Sequence, residues 1–162
     1  MYKPLQLFLL VIAFIILTSC DDTRIYEQNH SFKSQYWMLD SLQTFEVDIK
    51  DKSLIYNVYL NVRNSSTYPY YNIYINYSLY DTQGNVLTEN LVSNDLFESK
   101  IGKPLGQSGI GDVFDHQFLV LKQYQFEHTG KHTFQLQQYM RTDTLQGILA
   151  VGIRVEKEKL IN

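Results

Sequence analysis

A single cysteine, Cys20, stands in the whole 162-residue chain. No disulfide can form within it, so stability must come from packing. Charge of one sign is equally scarce: 14 Lys and Arg against 17 Asp and Glu give a net charge of −3. That balance argues against a nucleic-acid binder, which would show a basic patch or stripe. Low-complexity runs and internal repeats are missing. So are the G-x-S-x-G elbow, the Walker loop and the Rossmann glycine pattern. Of the four histidines, His30, His116, His128 and His132, only the last two are close, at a spacing that aligns ligands on a helix alone. Gly130 lies between them and marks a turn instead. A glycosidase would need two carboxylates on facing positions, and Glu46, Asp48 and Asp112 suggest no such pair. The expectation is a protein that is not an enzyme and carries no cofactor beyond a covalent lipid.

What is present begins with LQLFLLVIAFIIL at 5–17, one lysine (Lys3) ahead of it, and Leu17-Thr18-Ser19-Cys20 after it. A basic start, an apolar run and small residues at a cut site make a secretory signal. This 13-residue stretch falls short of the ~20 that span a bilayer as a helix. With cysteine at the cut site, the pattern resembles a bacterial lipobox: the Cys20 thiol takes a diacylglyceryl group, cleavage precedes Cys20, and the freed amine is acylated. Two or more acyl chains give stable attachment. Residues 1–19 are read as signal peptide, leaving 162 − 19 = 143 residues, enough for one domain with a sizeable core. Residues 20–35 are read as a lipid-anchored tether, with Asp21 and Asp22 either a sorting signal or a solvated linker end.

Residues 36–159 carry the strand signals. Phe45, Val47 and Ile49 alternate with Glu46 and Asp48, and in 54–63 the even positions Leu54, Tyr56, Val58, Leu60 and Val62 share one face. In 71–80 the inward set is Tyr71, Ile73, Ile75, Tyr77 and Leu79. Asn64 to Thr67 make a turn, and Asp81 to Asn85 a hairpin turn with Gly84 free to take positive φ. Residues 85–92 form a weaker return strand and 93–116 a long irregular stretch. Strands follow at 117–126, at 132–140 with Phe134, Leu136 and Met140 on one face, and at 148–157 with Leu149, Val151, Ile153 and Val155 inward. Some seven short strands without an amphipathic helix predict an all-β domain: a single antiparallel β-sandwich, Ig-like or jelly-roll-like. Trp37, the only tryptophan, precedes the long strands in an expected core role.

Three features could carry specific contacts. In the glycine-rich stretch 101–117, Asp112, Asp115 and carbonyls of the Gly109–Gly111 turn could hold Ca²⁺, which wants six to eight oxygens. Two carboxylates are few, and tight turns packing over one end of the sandwich are the simpler reading. The outward positions of the strands at 54–63 and 71–80 carry Asn57, Tyr59, Asn61, Tyr74, Asn76 and Tyr80. Tyrosine interleaved with asparagine suits a protein or sugar partner, and this is the candidate partner-binding face. The competing reading covers it with a helix or loop, or makes the tyrosines cross-strand neighbours. Last, Asp40-Ser41-Leu42 and Asp143-Thr144-Leu145 look like short O-glycosylation acceptors.

The runs YNVYLNVRN (56–64), YPYYNIY (68–74), KPLGQSGIGDVFDH (103–116) and GKHTFQLQQYMRTDTLQGILAVGIRVEK (130–157), together with the lipobox, the length and the Tyr36-Trp37 pair, resemble the GldH gliding-motility lipoproteins of Bacteroidota. The resemblance covers essentially the whole chain after the signal. It implies a membrane-anchored cell-envelope lipoprotein, facing the periplasm from the outer or inner membrane. The family is associated with gliding and with the type IX secretion apparatus, and no catalytic residue or cofactor is attached to it. Expected partners are the membrane, through the lipid, and other envelope proteins. A carbohydrate- or peptidoglycan-binding module, stacking sugars on Tyr59, Tyr74 and Tyr80, is the rival reading.

Overall fold

The computed structural model describes residues 22–158. The signal segment, Cys20 and Asp21 lie outside the described residues. Eleven strands run through the described part: β1 Arg24–Ser31, β2 Tyr36–Met38, β3 Gln43–Ile49, β4 Tyr56–Ser65, β5 Asn72–Tyr80, β6 Val86–Asp95, β7 Gln107–Ser108, β8 Val113–Tyr124, β9 Gly130–Gln138, β10 Thr144–Gln146 and β11 Ile148–Lys157. Their pairing is antiparallel throughout. One sheet runs β1-β11-β4-β8-β7, the other β3-β9-β5-β6, and β10-β2 forms a small ribbon. The result is the expected antiparallel sandwich.

Period-two alternation builds the core. Phe45, Val47 and Ile49 of β3, Ile73, Ile75, Tyr77 and Leu79 of β5, and Phe134 and Leu136 of β9 bury one side of the four-stranded sheet. Tyr56, Val58, Leu60 and Val62 of β4 and Val151, Ile153 and Val155 of β11 answer from the five-stranded sheet. Each such side chain, fully buried, contributes about 1.5–3 kcal/mol. The Tyr77 hydroxyl donates across the gap to the Val120 carbonyl at 3.3 Å. Trp37 on β2 is fully buried opposite Leu145, stacks on Phe32, and donates its indole N–H to the Ser41 carbonyl at 2.7 Å. It has the core role expected of it.

Several boundaries differ from the sequence reading. Arg24–Ser31, placed in the tether, is β1, paired along seven positions of β11. It is an edge strand whose side chains are mostly half-buried or exposed, so its hydrophobic alternation is faint and its backbone pairing does not register in sequence. Strand β8 starts at Val113, so residues 113–116 of the expected long loop are sheet, and β7 pairs beside them. In β11 a register shift between Ile148 and Ala150 reverses the facing: Ile148 is buried and Leu149 is only half-buried. A bulge adds one residue on one side, so parity counted from Val151 fails before it. Tyr71 lies before β5 and is exposed, its carbonyl receiving the N–H of Leu96 and of Phe97. Strand β9 ends at Gln138, and Met140 turns its sulfur to the Tyr74 N–H instead of continuing the Phe134–Leu136 face. Gly84 takes φ 87° in the β5–β6 hairpin, as expected.

The link from β4 to β5 decides where the candidate face goes. It crosses from one sheet to the other. Tyr68 pins the crossing: it is buried, and its hydroxyl donates to the Asn72 carbonyl at 2.8 Å. Burial pushes its phenol pKa well above the ordinary value.

Candidate functional site

Because β4 and β5 belong to different sheets, their outward positions look away from each other across the sandwich. Asn57, Tyr59 and Asn61 lie on the outer face of the five-stranded sheet, and Tyr74, Asn76 and Tyr80 on that of the four-stranded sheet. The six residues proposed as one surface are two threes. A sugar platform built from Tyr59, Tyr74 and Tyr80 together is therefore ruled out by topology.

On the five-stranded side, cross-strand register arranges three rows. Glu27, Arg154, Tyr59 and Leu119 make the first; Asn29, Gly152, Asn61 and Gln117 the second; Ser31, Ala150, Arg63, Asp115 and Gln107 the third. The middle row is a ladder of amides. Asn61 Nδ2 donates to Glu27 Oε1 at 3.0 Å and Asn29 Oδ1 at 3.2 Å, and Gln117 Nε2 donates to Asn61 Oδ1 at 3.3 Å. Gly152 is the notch that permits it. A Cβ there would overlap Asn29 Oδ1 and the Gln28 carbonyl, well inside the 3.0 Å that real Cβ contacts respect. Glycine inside a strand marks such a close approach.

The flanking rows carry paired charges. Arg63 grips Asp115 with both prongs, Nε to Oδ1 at 2.7 Å and a terminal nitrogen to Oδ2 at 3.0 Å. Arg154 reaches Glu27 at 3.1 Å and also pairs with Glu156. Partial burial pushes the Glu27 carboxyl up, but hydrogen bonds from Arg24 and Asn61 and the charge of Arg154 outweigh it and leave the pKa below its ordinary value. Burial, then the charge of Glu156, raises the Tyr59 phenol. The second and third rows, with Glu27 and Arg154 of the first, line a groove of about 880 Å³, bounded at the β7 side by Leu105, Gly106 and Gln107.

The opposite face is different in kind. Tyr74 lies beside Ser93 of β6, the Tyr139 N–H donates to the Tyr74 carbonyl, and Leu91 stands opposite Asn76. Tyr74, Tyr139 and Leu91 are 39%, 60% and 51% exposed. Asn76 donates to Glu89 at 2.9 Å, and Tyr80 is half-buried at the far end of β5.

The calcium candidates are not brought together. Both oxygens of Asp115 are held by Arg63, whereas Asp112 sits in a turn at φ 57° with its carbonyl receiving the Ser66 N–H. Among the described residues no three metal-ligating side chains gather. His132 is buried and His128 exposed, so they share no site.

The model of the GldH lipoprotein family matches residues 24–155. The chain belongs to the GldH lipoprotein family. The span matched starts at the first residue of β1 and ends within β11, so it takes in the sandwich from its first strand. One GldH relative, the "Gliding motility lipoprotein GldH homolog" of Christiangramia forsetii, is 30% identical over 97% of this chain and 98% of its own length. The "Gliding motility lipoprotein GldH" of Flavobacterium johnsoniae is 26% identical over 93% of this chain and 95% of its own. Among solved structures, the VP2 subviral particle of infectious bursal disease virus is 10% identical at a TM-score of 0.32, covering 81% of this chain and 30% of that one; so slight a likeness carries no weight.

Sequence reasoning found Tyr59 and Asn61 but missed their companions in this GldH domain. Asn29 and Glu27 were hidden in the apparent tether, and Gln117, Arg63 and Arg154 are ordinary outward polar residues until register aligns them. The one available signal was Gly152 in the middle of a strand pattern.

Proposed function

We propose that this protein is a non-catalytic lipoprotein of the cell envelope, anchored through a lipid on Cys20 and facing the periplasm. In this reading it serves gliding motility or the type IX secretion machinery as an accessory subunit that docks on other envelope proteins. The names of its relatives support the gliding part.

The observation that carries the docking part is β6. It closes the four-stranded sheet, and among the described residues no strand pairs with its other edge. Natural sheets guard such edges with lysine, proline, bulges or charge. The other edges follow that practice: β1 has a register irregularity beside Arg24 and bears Glu27, β3 carries Glu46 and Asp48, and β8 is shifted twice and bears Lys122. Strand β6, VLTENLVSND, runs ten residues with no proline, glycine or lysine, and its only shift is at its start; of its two carboxylates, Glu89 is held by Asn76 and Asp95 is its last residue. It carries the exposed Leu91, and beside it stand Tyr74 and Tyr139, also exposed. An unpaired edge beside aromatic area suits an added strand from a partner.

The test places a photocrosslinking side chain at Leu91, or at Lys131 as control, in the protein in its own membranes. Adducts with gliding or type IX secretion proteins from Leu91 alone are expected. Their absence, or equal yield from Lys131, overturns the docking surface.

A further inference from the structure

We propose that the groove on the outer face of the five-stranded sheet binds an uncharged oligosaccharide. The site lies on the outer face of the five-stranded sheet, away from Leu91, Tyr74 and Tyr139, and shares with β6 only that strand's last residue, Asp95.

Its electrostatics point to a neutral ligand. The two arginines lining it, Arg63 and Arg154, are each engaged by carboxylates of the same face, Asp115 and Glu27. Asp95 at the rim adds a negative charge, so phosphate, sulfate and other anions find no free cation to meet them. A polyanion would need one.

The hydrogen-bonding inventory points to hydroxyls. The Asn29 carboxamide accepts from Asn61, and its Nδ2 gives to no group among the described residues; Gln117 donates to Asn61, and its Oε1 receives from none. The ladder therefore ends in a free donor on β1 and a free acceptor on β8. Three strand spacings separate them, roughly 14 Å at ~4.8 Å each. Ser31 and Gln107 line the same face with no side-chain partner of their own among the described residues. Hydroxyl groups, donor and acceptor at once, match such a mixed row, whereas a peptide's side chains would want apolar pockets. The adjoining row offers one apolar ledge, Tyr59 with Leu119, the latter 45% exposed, suited to the C–H face of a sugar ring. A volume of about 880 Å³ is within the range of small-ligand clefts.

Gly152 indicates that the row is built and not incidental. Glycine in a strand interior is unfavourable, because it packs nothing and loses more entropy than other residues. Here it is what lets the Asn29 carboxamide lie across β11 toward Asn61 of β4.

The experiment titrates the full-length lipidated protein, in detergent micelles, with chitotetraose and with cellotetraose by calorimetry. A parallel arm sediments it with purified peptidoglycan sacculi. Binding of either tetrasaccharide is expected, weakened about tenfold or more by Asn61→Ala. Gln117→Ala, on an exposed side chain that leaves the core alone, should weaken it in the same direction, whereas Tyr139→Ser on the opposite face should not. Co-sedimentation, lost in the same two variants, identifies cell-wall glycan as the source; tetrasaccharide binding without it identifies a free or surface polysaccharide. The proposal is overturned if neither sugar binds, if both groove variants bind like the wild type, or if a sulfated tetrasaccharide binds more tightly than the neutral ones.

Discussion

Gly152→Ala is the substitution whose outcome follows most directly from the geometry. The added methyl meets two obstacles of different stiffness, the Asn29 side chain and the Gln28 carbonyl. The carboxamide can swing aside; the carbonyl cannot move without carrying β1 with it. Overpacking of this kind costs about 1–3 kcal/mol, a fall in Tm of roughly 4–12 °C for a domain of this size. The damage should be local, since β1 is an edge strand held by a single neighbour. Urea unfolding gives the overall loss. Amide exchange should show the protection of residues 26–31 falling well before that of β4 and β5. The double variant Asn29→Ala/Gly152→Ala separates the obstacles: removing the carboxamide should restore part of the stability and not all, because the carbonyl remains. Full recovery would mean that the backbone approach is unimportant. A single variant within ~0.5 kcal/mol of wild type, with β1 protection unchanged, would refute the reasoning altogether.

Trp37→Ala should cost about 3–5 kcal/mol and leave the Ser41 carbonyl with Gln43 as its only donor; because Trp37 is the only tryptophan, native fluorescence reports on this site alone, and strong acrylamide quenching of the wild type would contradict its burial. His116 is buried with Nε2 lacking a partner, and burial lowers its pKa against a smaller opposing effect of Asp115. The unfolded chain therefore takes up a proton that the fold resists: stability is full above about pH 6.5 and declines as pH falls toward the lowered folded value. Urea unfolding of His116→Leu at about pH 7.5 and about pH 5.5 should show a smaller loss than wild type over that interval; an equal loss sinks the assignment. The Arg63–Asp115 pair is bidentate, yet its side chains are 52% and 44% exposed. Asp115→Asn should accordingly cost less than about 1 kcal/mol, and a larger loss in denaturant titration would show that the pair holds β4 to β8.

The long strands were legible because each buries one face, and Tyr56 to Val62 or Ile73 to Leu79 state that period outright. What period two cannot state is which sheet a strand joins. The link of residues 66–71 reads like a hairpin connection, yet it changes sheets, and that one step split the tyrosine–asparagine face in two. Edge elements were the other loss. Strand β1 is defined by its ladder to β11 more than by side-chain burial, and the short β2, β7 and β10 are too brief for any period. The groove was illegible for a combined reason: its middle row draws one residue from each of four strands distant in sequence, so only register assembles Asn29, Gly152, Asn61 and Gln117.

The early start of β1 bears on mechanical load. With Arg24 already in the sheet, four residue steps separate it from Cys20, at most ~14 Å of chain, where a flexible 15-residue tether would wander about 20 Å. With the lipid on Cys20 as proposed above, a body held so closely would not swing out to meet a distant partner; partners would come to it at the bilayer surface. Any pull between lipid and body is then delivered to the seven-pair ladder of β1 and β11. Drawn along the strand axis, that ladder shares the force among its hydrogen bonds in shear; drawn sideways, it peels one bond at a time. The direction of pull would decide whether the sandwich stays whole or sheds its first strand.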